Sequence, residues 1–79
     1  IALDPAYSDA WAGLGTILIE MLRFDEAKAP LARSLRAEPA AEGYWGRALL
    51  RERREDYQGA QRDYIRAQRL APERFSAPV

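Results

Sequence analysis

The sequence predicts an all-α protein in which antiparallel helix-turn-helix units pack side by side. Three observations support this prediction: similar residues recur 33 to 34 positions apart, apolar residues follow helical spacing, and no segment alternates apolar and polar residues as a half-buried strand does. Prolines at positions 5, 39 and 72 mark successive boundaries. They divide the chain into the end of a preceding repeat helix (1–5), a first repeat (6–39), a second repeat (40–72) and a C-terminal tail (73–79).

The repeat is visible when the chain is compared with itself. A shift of 33 positions aligns five pairs of identical residues: Gly13 with Gly46, Ala27 with Ala60, Arg33 with Arg66, Arg36 with Arg69 and Pro39 with Pro72. Aromatic positions also coincide, because the same shift places Trp11 on Tyr44 and Phe24 on Tyr57. A repeat of this length is typical of stacked helical hairpins.

The first repeat is predicted to form two helices. Small and apolar residues lie on one face of its first helix, at i, i+3, i+4 and i+7: Trp11, Leu14, Gly15 and Leu18. Its second helix has a similar face made of Ala27, Leu31, Ser34 and Leu35. Pro30 lies inside this helix, where a proline costs about 3 kcal/mol. We therefore expect either a kink near Glu26–Pro30 or a later helix start that leaves Ala27 outside the packed seam.

The second repeat is predicted to form helices over residues 41–54 and 57–70. Asp56 precedes the second of these helices and is a suitable N-cap, because its carboxylate can accept from an otherwise unpaired backbone N–H. Arg47 places a cation at the seam between the two helices. Asp63 lies at the matching height on the partner helix if the repeat geometry holds, so we predict an Arg47–Asp63 ion pair.

These residues resemble the tetratricopeptide repeat, whose pattern is W-x2-L-G-x2-Y, then A-x3-F, then P, in about 34 residues. In the first repeat the matching positions are Trp11, Leu14, Gly15, Leu18, Ala27, Leu31 and Pro39. In the second repeat they are Tyr44, Ala48, Ala60, Tyr64 and Pro72. The second repeat departs from the pattern at Arg47 and Arg51, where apolar residues are usual. The resemblance covers residues 1–72 and implies a short right-handed superhelix, an α-solenoid fragment.

Small residues are expected where the helices approach closely, namely Gly13, Gly15, Ala27, Ala48, Ala60 and Ala67. One unit of this kind cannot bury its apolar face alone, and three or more units are usually needed for stability. We therefore expect the chain to be marginally stable by itself, to dimerise end to end, or to need neighbouring repeats.

Composition excludes several classes of function. The chain has no Cys and no His, which removes thiolate nucleophiles, imidazole bases and the usual zinc sites. Carboxylate pairs such as Asp25/Glu26 and Glu55/Asp56 are better explained as charges at helix N-termini. No segment approaches the roughly 20 apolar residues of a membrane span, and no signal peptide is evident. We expect no catalysis, no cofactor and no membrane insertion, and we favour a cytoplasmic location.

The resemblance also implies a concave groove, lined by the first helix of each repeat, that binds a protein or peptide segment. The corresponding residues here are Asp9, Ala12, Thr16, Ile19, Glu20, Glu42, Trp45, Leu49, Glu52 and Arg53. Ile19, Trp45 and Leu49 would form an apolar floor with carboxylates around it, which favours an apolar segment that has basic residues. The alternative is that Trp45 packs against the next repeat or the chain end.

A second surface is basic, since Arg62, Arg66 and Arg69 share one helix face. The zero net charge and the absence of interleaved aromatic residues favour a solvated surface there, so no nucleic-acid partner is expected.

The sequence therefore predicts a non-catalytic protein-interaction module, with homo-oligomers forming through exposed repeat ends. The alternative is a scaffolding or oligomerisation segment of a longer protein that has a catalytic domain elsewhere. Eleven of the twelve basic residues are Arg and Ala is abundant, a bias that favours a bacterial source.

Overall fold

The computed structural model describes residues 5–74, in which four α-helices pack against one another and no strand occurs. The helices are α1 (Pro5–Glu20), α2 (Phe24–Ala37), α3 (Ala41–Arg53) and α4 (Tyr57–Leu70). Within each hairpin the two helices pack together, α1 on α2 and α3 on α4, and α3 also contacts α1 and α2. The all-α prediction is confirmed. No helix in this part of the chain is both long and apolar enough to cross a membrane.

The second hairpin closely follows its sequence prediction. α3 ends one residue earlier than expected, at Arg53, and α4 has the expected bounds. Asp56 is the N-cap of α4, and its Oδ1 accepts a hydrogen bond from the backbone N–H of Gly59 at 3.0 Å. The side chain thereby satisfies one of the amide groups that a helix N-terminus leaves unpaired.

The two hairpin turns share one backbone design. Leu22 and Glu55, which are 33 positions apart, have φ values of 63° and 66°. Just after them, the N–H of Arg23 donates to the Leu18 carbonyl and that of Asp56 donates to the Arg51 carbonyl, both at 2.8 Å. A left-handed residue followed by such a backward hydrogen bond is the Schellman ending of an α-helix. The sequence repeat is therefore also a repeat of backbone geometry.

Two prolines allow the sequence prediction to be checked. Pro5 was expected to end a preceding helix, but it is the first residue of α1, a position where a proline loses no helical hydrogen bond. Residues 1–4 of that expected helix and residues 75–79 of the tail lie outside the described residues. α2 begins at Phe24 with Pro30 inside it and Ala27 buried, so the alternative of a later start is wrong. The kink near Pro30 stays a prediction.

Leu31 is the centre of the packing between the hairpins. It is almost fully buried together with Ile19, Ala27 and Leu50. A Cβ atom added to Gly15 would lie 2.6 Å from the Leu31 Cγ, and one added to Gly46 would lie 2.5 Å from its Cδ2. The two glycines therefore admit Leu31 between α1 and α3. A second buried cluster contains Ala41, Ala67 and Ala71, with Tyr44 and Trp45 packed against it.

The expected close-packing residues divide into two groups. Ala27, Ala48, Ala60 and Ala67 are all buried, as predicted. Gly13 was also expected to permit close packing, but nothing lies within 4 Å of a Cβ placed there. Leu14 was expected to fill the seam, but it is 42% exposed. Both predictions are wrong for one reason: this side of α1 has no neighbouring helix among the described residues.

Candidate functional site

Most α1 residues of the predicted groove are buried or half-buried by contacts within the chain. Ala12 and Ile19 are only 2% exposed, so the prediction that they contact a partner is wrong. Thr16 is half-buried and its hydroxyl donates to the Ala12 carbonyl at 3.0 Å. Its Oγ1 also lies 3.5 Å from a Cβ placed at Gly46 on α3. These residues fill the contact between the hairpins, and only Asp9 and Glu20 remain exposed.

The α3 part of the predicted groove is half-buried. Trp45 meets Tyr64 of α4 edge to face, with ring centroids 4.7 Å apart, and Leu49 packs against the cluster around Leu31. Burial raises the pKa of Tyr64, with a further contribution from Glu52. Trp45 therefore packs within its own repeat, a contact that the sequence interpretation did not include.

The polar residues of the predicted groove remain near the surface. Glu52 and Arg53 are exposed. Glu42 is half-buried and forms an ion pair with Arg74. Among the ten residues predicted for the groove, the exposed ones are thus charged rather than apolar.

Apart from Leu22 in the turn, the exposed large apolar residues of the first hairpin follow a different stripe along α1 and the residue after it. Tyr7, Leu14, Ile17 and Met21 are 61%, 42%, 54% and 54% exposed. Met21 directly follows the last residue of α1, and its N–H still donates to the Ile17 carbonyl at 3.0 Å. The spacing of i, i+7, i+10 and i+14 therefore places the four residues on one side. We call these four residues the open face of α1.

The repeat pairs this region of α1 with a region of α3. A shift of 33 positions places Ala10 on Gly43, Gly13 on Gly46 and Ile17 on Leu50. The three α3 residues are buried, and Cβ atoms added to its two glycines would come within 3.0 Å of side-chain atoms of α2. In α3 this surface is thus covered by the preceding hairpin, whereas in α1 it is exposed. Of the open face itself only Ile17 has a buried equivalent, since Tyr7, Leu14 and Met21 fall on Ala40, Arg47 and Arg54. The 33-residue shift could therefore have identified the exposure of Ile17 from sequence.

The predicted ion pair between Arg47 and Asp63 is present. Asp63 is fully buried on α4. Its two carboxylate oxygens accept from Nε and Nη2 of Arg47 at 2.9 and 3.0 Å. The hydrogen bond to Asp63 raises the pKa of Arg47, so this guanidinium is charged throughout the usable pH range.

Two further arginines contact Asp63 and were not predicted to do so. Arg51 Nη1 donates to Oδ2 at 3.0 Å, and Arg66 Nη1 donates to Oδ1 at 3.4 Å. The departures from the family pattern at Arg47 and Arg51 therefore have one explanation, since both side chains neutralise the same buried carboxylate. Helical spacing could have predicted both contacts with Asp63, because Arg51 is at i+4 from Arg47 and Arg66 is at i+3 from Asp63.

The first hairpin has a different polar seam. Ser8 on α1 and Ser34 on α2 are fully buried, and their hydroxyl oxygens are 3.1 Å apart. The Ser8 hydroxyl is also within 3.1 Å of the Ser34 and Glu38 carbonyls, and the Ser34 hydroxyl donates to the Ser8 carbonyl at 2.7 Å. These hydroxyls join the two helices, and their hydrogen-bond partners among the described residues include no base that would make either a nucleophile.

A cavity of about 320 Å³ opens between the two hairpins. Its lining residues come from α2, α3 and the α3–α4 turn: Lys28, Leu31, Ala32, Arg47, Leu50, Arg51, Arg54 and Asp56. It therefore combines an apolar interior with four cationic side chains. In residues 5–74 no group of three carboxylates or other metal-binding side chains lies close enough to hold a metal ion.

Comparisons with protein-family models, with curated proteins and with solved structures found no match for this chain. The resemblance to the tetratricopeptide repeat therefore stays a prediction from the residues themselves.

Proposed function

We propose that this chain is a protein-binding segment of a tetratricopeptide-like solenoid and that the open face of α1 is its main contact surface. The observation that supports this proposal is the exposure, on one side, of Tyr7, Leu14 and Ile17 of α1 and of Met21, which directly follows the helix. Contiguous exposed apolar residues on a small protein mark sites of interaction with other macromolecules. Among the described residues, the open face holds four of the eight large hydrophobic residues that are exposed.

The partner surface is proposed to be a helix with a branched apolar side chain. Within the chain, Leu31 occupies the space that Gly46 leaves open. Gly13 is the equivalent glycine on α1 and leaves the same kind of space unfilled. A leucine or isoleucine from a partner helix would fit there as Leu31 fits against Gly46, with close packing of the two helices.

The charge of α1 favours basic residues beside that apolar contact. The helix contains Asp9 and Glu20, both exposed, and has no Lys or Arg. Carboxylates at the edge of an interface favour partners with complementary positive charge and raise the association rate. The proposed partner is thus an apolar helix face with Arg or Lys at its edge.

Ile17→Glu tests this function, because the substitution places a charge in the middle of the open face without removing a buried side chain. Affinity purification with mass spectrometry first identifies bound proteins, and isothermal titration with the purified partner then measures affinity. We expect the substitution to weaken binding at least about tenfold, as the loss of a buried apolar contact would.

Gln61→Glu is the matched control, since it adds the same charge at an exposed position on α4. Circular dichroism checks that both variants keep the helical content of the parent. The proposal is wrong if Ile17→Glu and Gln61→Glu bind the partner equally well. Sedimentation velocity separates the alternative role, because an oligomerisation segment would show a dimer mass that Ile17→Glu reduces to 8.9 kDa.

A further inference from the structure

We propose that the cavity between the hairpins binds a small amphiphilic carboxylate, with its apolar body against Leu31 and Leu50 and its carboxylate at Lys28. This site lies apart from the open face of α1 and does not depend on the protein-binding role. The inference rests on the shape of the cavity, its charge and the fixed position of two arginines.

The interior of the cavity suits an apolar group. Ala32 lines it with an exposed side chain, and Leu50 and Leu31, which are 6% and 1% exposed, form its floor. The volume of about 320 Å³ falls at the lower end of the usual range for small-molecule sites, roughly 300–1,000 Å³. Such sites are mostly apolar and orient their ligand with a few placed polar groups.

The rim of the cavity suits a negative charge. Lys28, Arg47, Arg51 and Arg54 line it together with a single carboxylate, Asp56. Asp63 lies behind the rim against two of the arginines, and Asp25 pairs with Arg54. Asp63 also pairs with Arg66, so five cations face these three carboxylates and the rim keeps a positive surplus. An anionic group on the ligand, such as a carboxylate, would be attracted by this surplus.

Lys28 is the cation available to the ligand. Among residues 5–74 it has no hydrogen-bond or ion-pair partner, and its side chain is exposed on α2. Arg54 is engaged by Asp25, and Arg47 and Arg51 are engaged by Asp63. A carboxylate entering the cavity would therefore form its main charge-assisted hydrogen bond with the Lys28 ammonium.

Asp63 acts as a positioning residue for this site. Its carboxylate binds Nε and Nη2 of Arg47 and Nη1 of Arg51, which leaves Nη1 of Arg47 and Nη2 of Arg51 as unused donors. Because both guanidinium groups are already held in place, less side-chain entropy is lost when a ligand arrives.

The test titrates the full chain with octanoate and follows the backbone amide signals by NMR. We expect saturable shifts centred on Lys28, Leu31 and Leu50. Acetate lacks the apolar body and octanol lacks the charge, so neither should reproduce these shifts at equal concentration. Lys28→Met keeps the apolar stem of the side chain and removes the ammonium. We expect it to weaken octanoate binding about tenfold or more, as removal of a charge-assisted hydrogen bond does.

Arg69→Met is the control, because it removes one positive charge from an exposed position on α4 that does not line the cavity. It should leave octanoate affinity unchanged within twofold. The proposal would be overturned by no saturable shifts with octanoate, by equal binding of octanol, or by equal loss of affinity in Lys28→Met and Arg69→Met. Amide shifts that map to the open face of α1 would also overturn it, since octanoate would then be binding elsewhere.

Discussion

The two hairpins have the same backbone plan but opposite seam chemistry. A shift of 33 positions places Leu14, Leu18 and Pro30 of the first hairpin on Arg47, Arg51 and Asp63 of the second. The first hairpin therefore has apolar residues where the second has its buried ion cluster. Conversely, the second hairpin has apolar residues where the first has its hydroxyl pair, since Ser8 and Ser34 fall on Ala41 and Ala67.

One side-chain contact is the same in both hairpins. The guanidinium of Arg33 lies over the Trp11 ring with its carbon 5.0 Å from the ring centroid. The equivalent Arg66 lies over Tyr44 at 5.5 Å. The comparison shows that helix pairing in this repeat tolerates an exchange of polar and apolar seams, provided that every buried polar group keeps a partner.

The largest effect is expected for Asp63→Asn. This change leaves Arg47 and Arg51 without their common carboxylate, and removal of one partner from a buried ion pair costs about 3 kcal/mol. Urea unfolding followed by circular dichroism measures the loss. Asp9→Asn is the control, because Asp9 is exposed, and an equal small effect in both variants would show that the cluster does not stabilise the seam.

A companion variant tests whether the ion cluster can be replaced by the apolar seam of the first hairpin. The triple change Arg47→Leu, Arg51→Leu and Asp63→Leu removes all three principal charges together. Well-packed apolar residues often match or exceed a buried ion cluster in stability. We expect this variant to unfold at a urea concentration at least equal to that of the parent. A loss as large as that of Asp63→Asn alone would contradict the proposed equivalence of the two seams.

Gly46→Ala and its repeat equivalent Gly13→Ala are expected to have opposite effects. The added methyl at Gly46 would meet Leu31, and overpacking of this kind typically costs about 1–3 kcal/mol. The methyl at Gly13 meets nothing, so the better helix propensity of Ala should stabilise the chain by about 1 kcal/mol. Thermal unfolding of the two variants checks the sign of each change. Destabilisation by Gly13→Ala would indicate that the α1 surface is covered in solution.

Leu22→Gly and Glu55→Gly should have a small and similar effect. Both residues adopt positive φ, which costs roughly 1–2 kcal/mol for a residue with a Cβ. Glycine removes this cost, but it also loses more conformational entropy on folding, which offsets part of the stabilisation. We expect each change to stabilise the chain by about 0.5 kcal/mol. Ala29→Gly on α2 provides the control, since a glycine inside a helix should instead destabilise. Opposite signs for Leu22→Gly and Glu55→Gly would show that the two turns are not energetically equivalent.

The smallest effect concerns Tyr64. Folding raises its pKa through burial, so the neutral phenol is favoured in the folded state. The corresponding stability is complete below the unfolded pKa of about 10 and is lost as the pH rises through the folded pKa. Absorbance of tyrosinate should show a late phase that disappears in Tyr64→Phe. An unchanged titration curve in that variant would contradict the burial argument.

Much of the helical framework could be predicted because it depends on local signals. The bounds of α4, the Asp56 cap and the Arg47–Asp63 pair followed from spacing, capping chemistry and the repeat period. Each of these features is decided within one hairpin, where residues close in sequence determine the contact. The assignment of the partner groove failed for Ala12 and Ile19, because both are buried within the chain. Ile19 packs with Ala27 and Leu31 of its own hairpin and with Leu50 of the other, a contact that depends on tertiary structure.

α1 shows why the sequence alone left that choice open. It has apolar residues on most of its circumference, including Leu14, Ile17, Leu18 and Ile19, so helical periodicity does not select one buried stripe. The sequence determined that α1 would be a helix with more apolar surface than one neighbour can cover. Only the tertiary structure decided that the stripe containing Ile19 meets α2 and α3 while Leu14 and Ile17 remain exposed. The physical reason is that burial depends on which helices are adjacent, whereas helix formation depends on residues within a few turns.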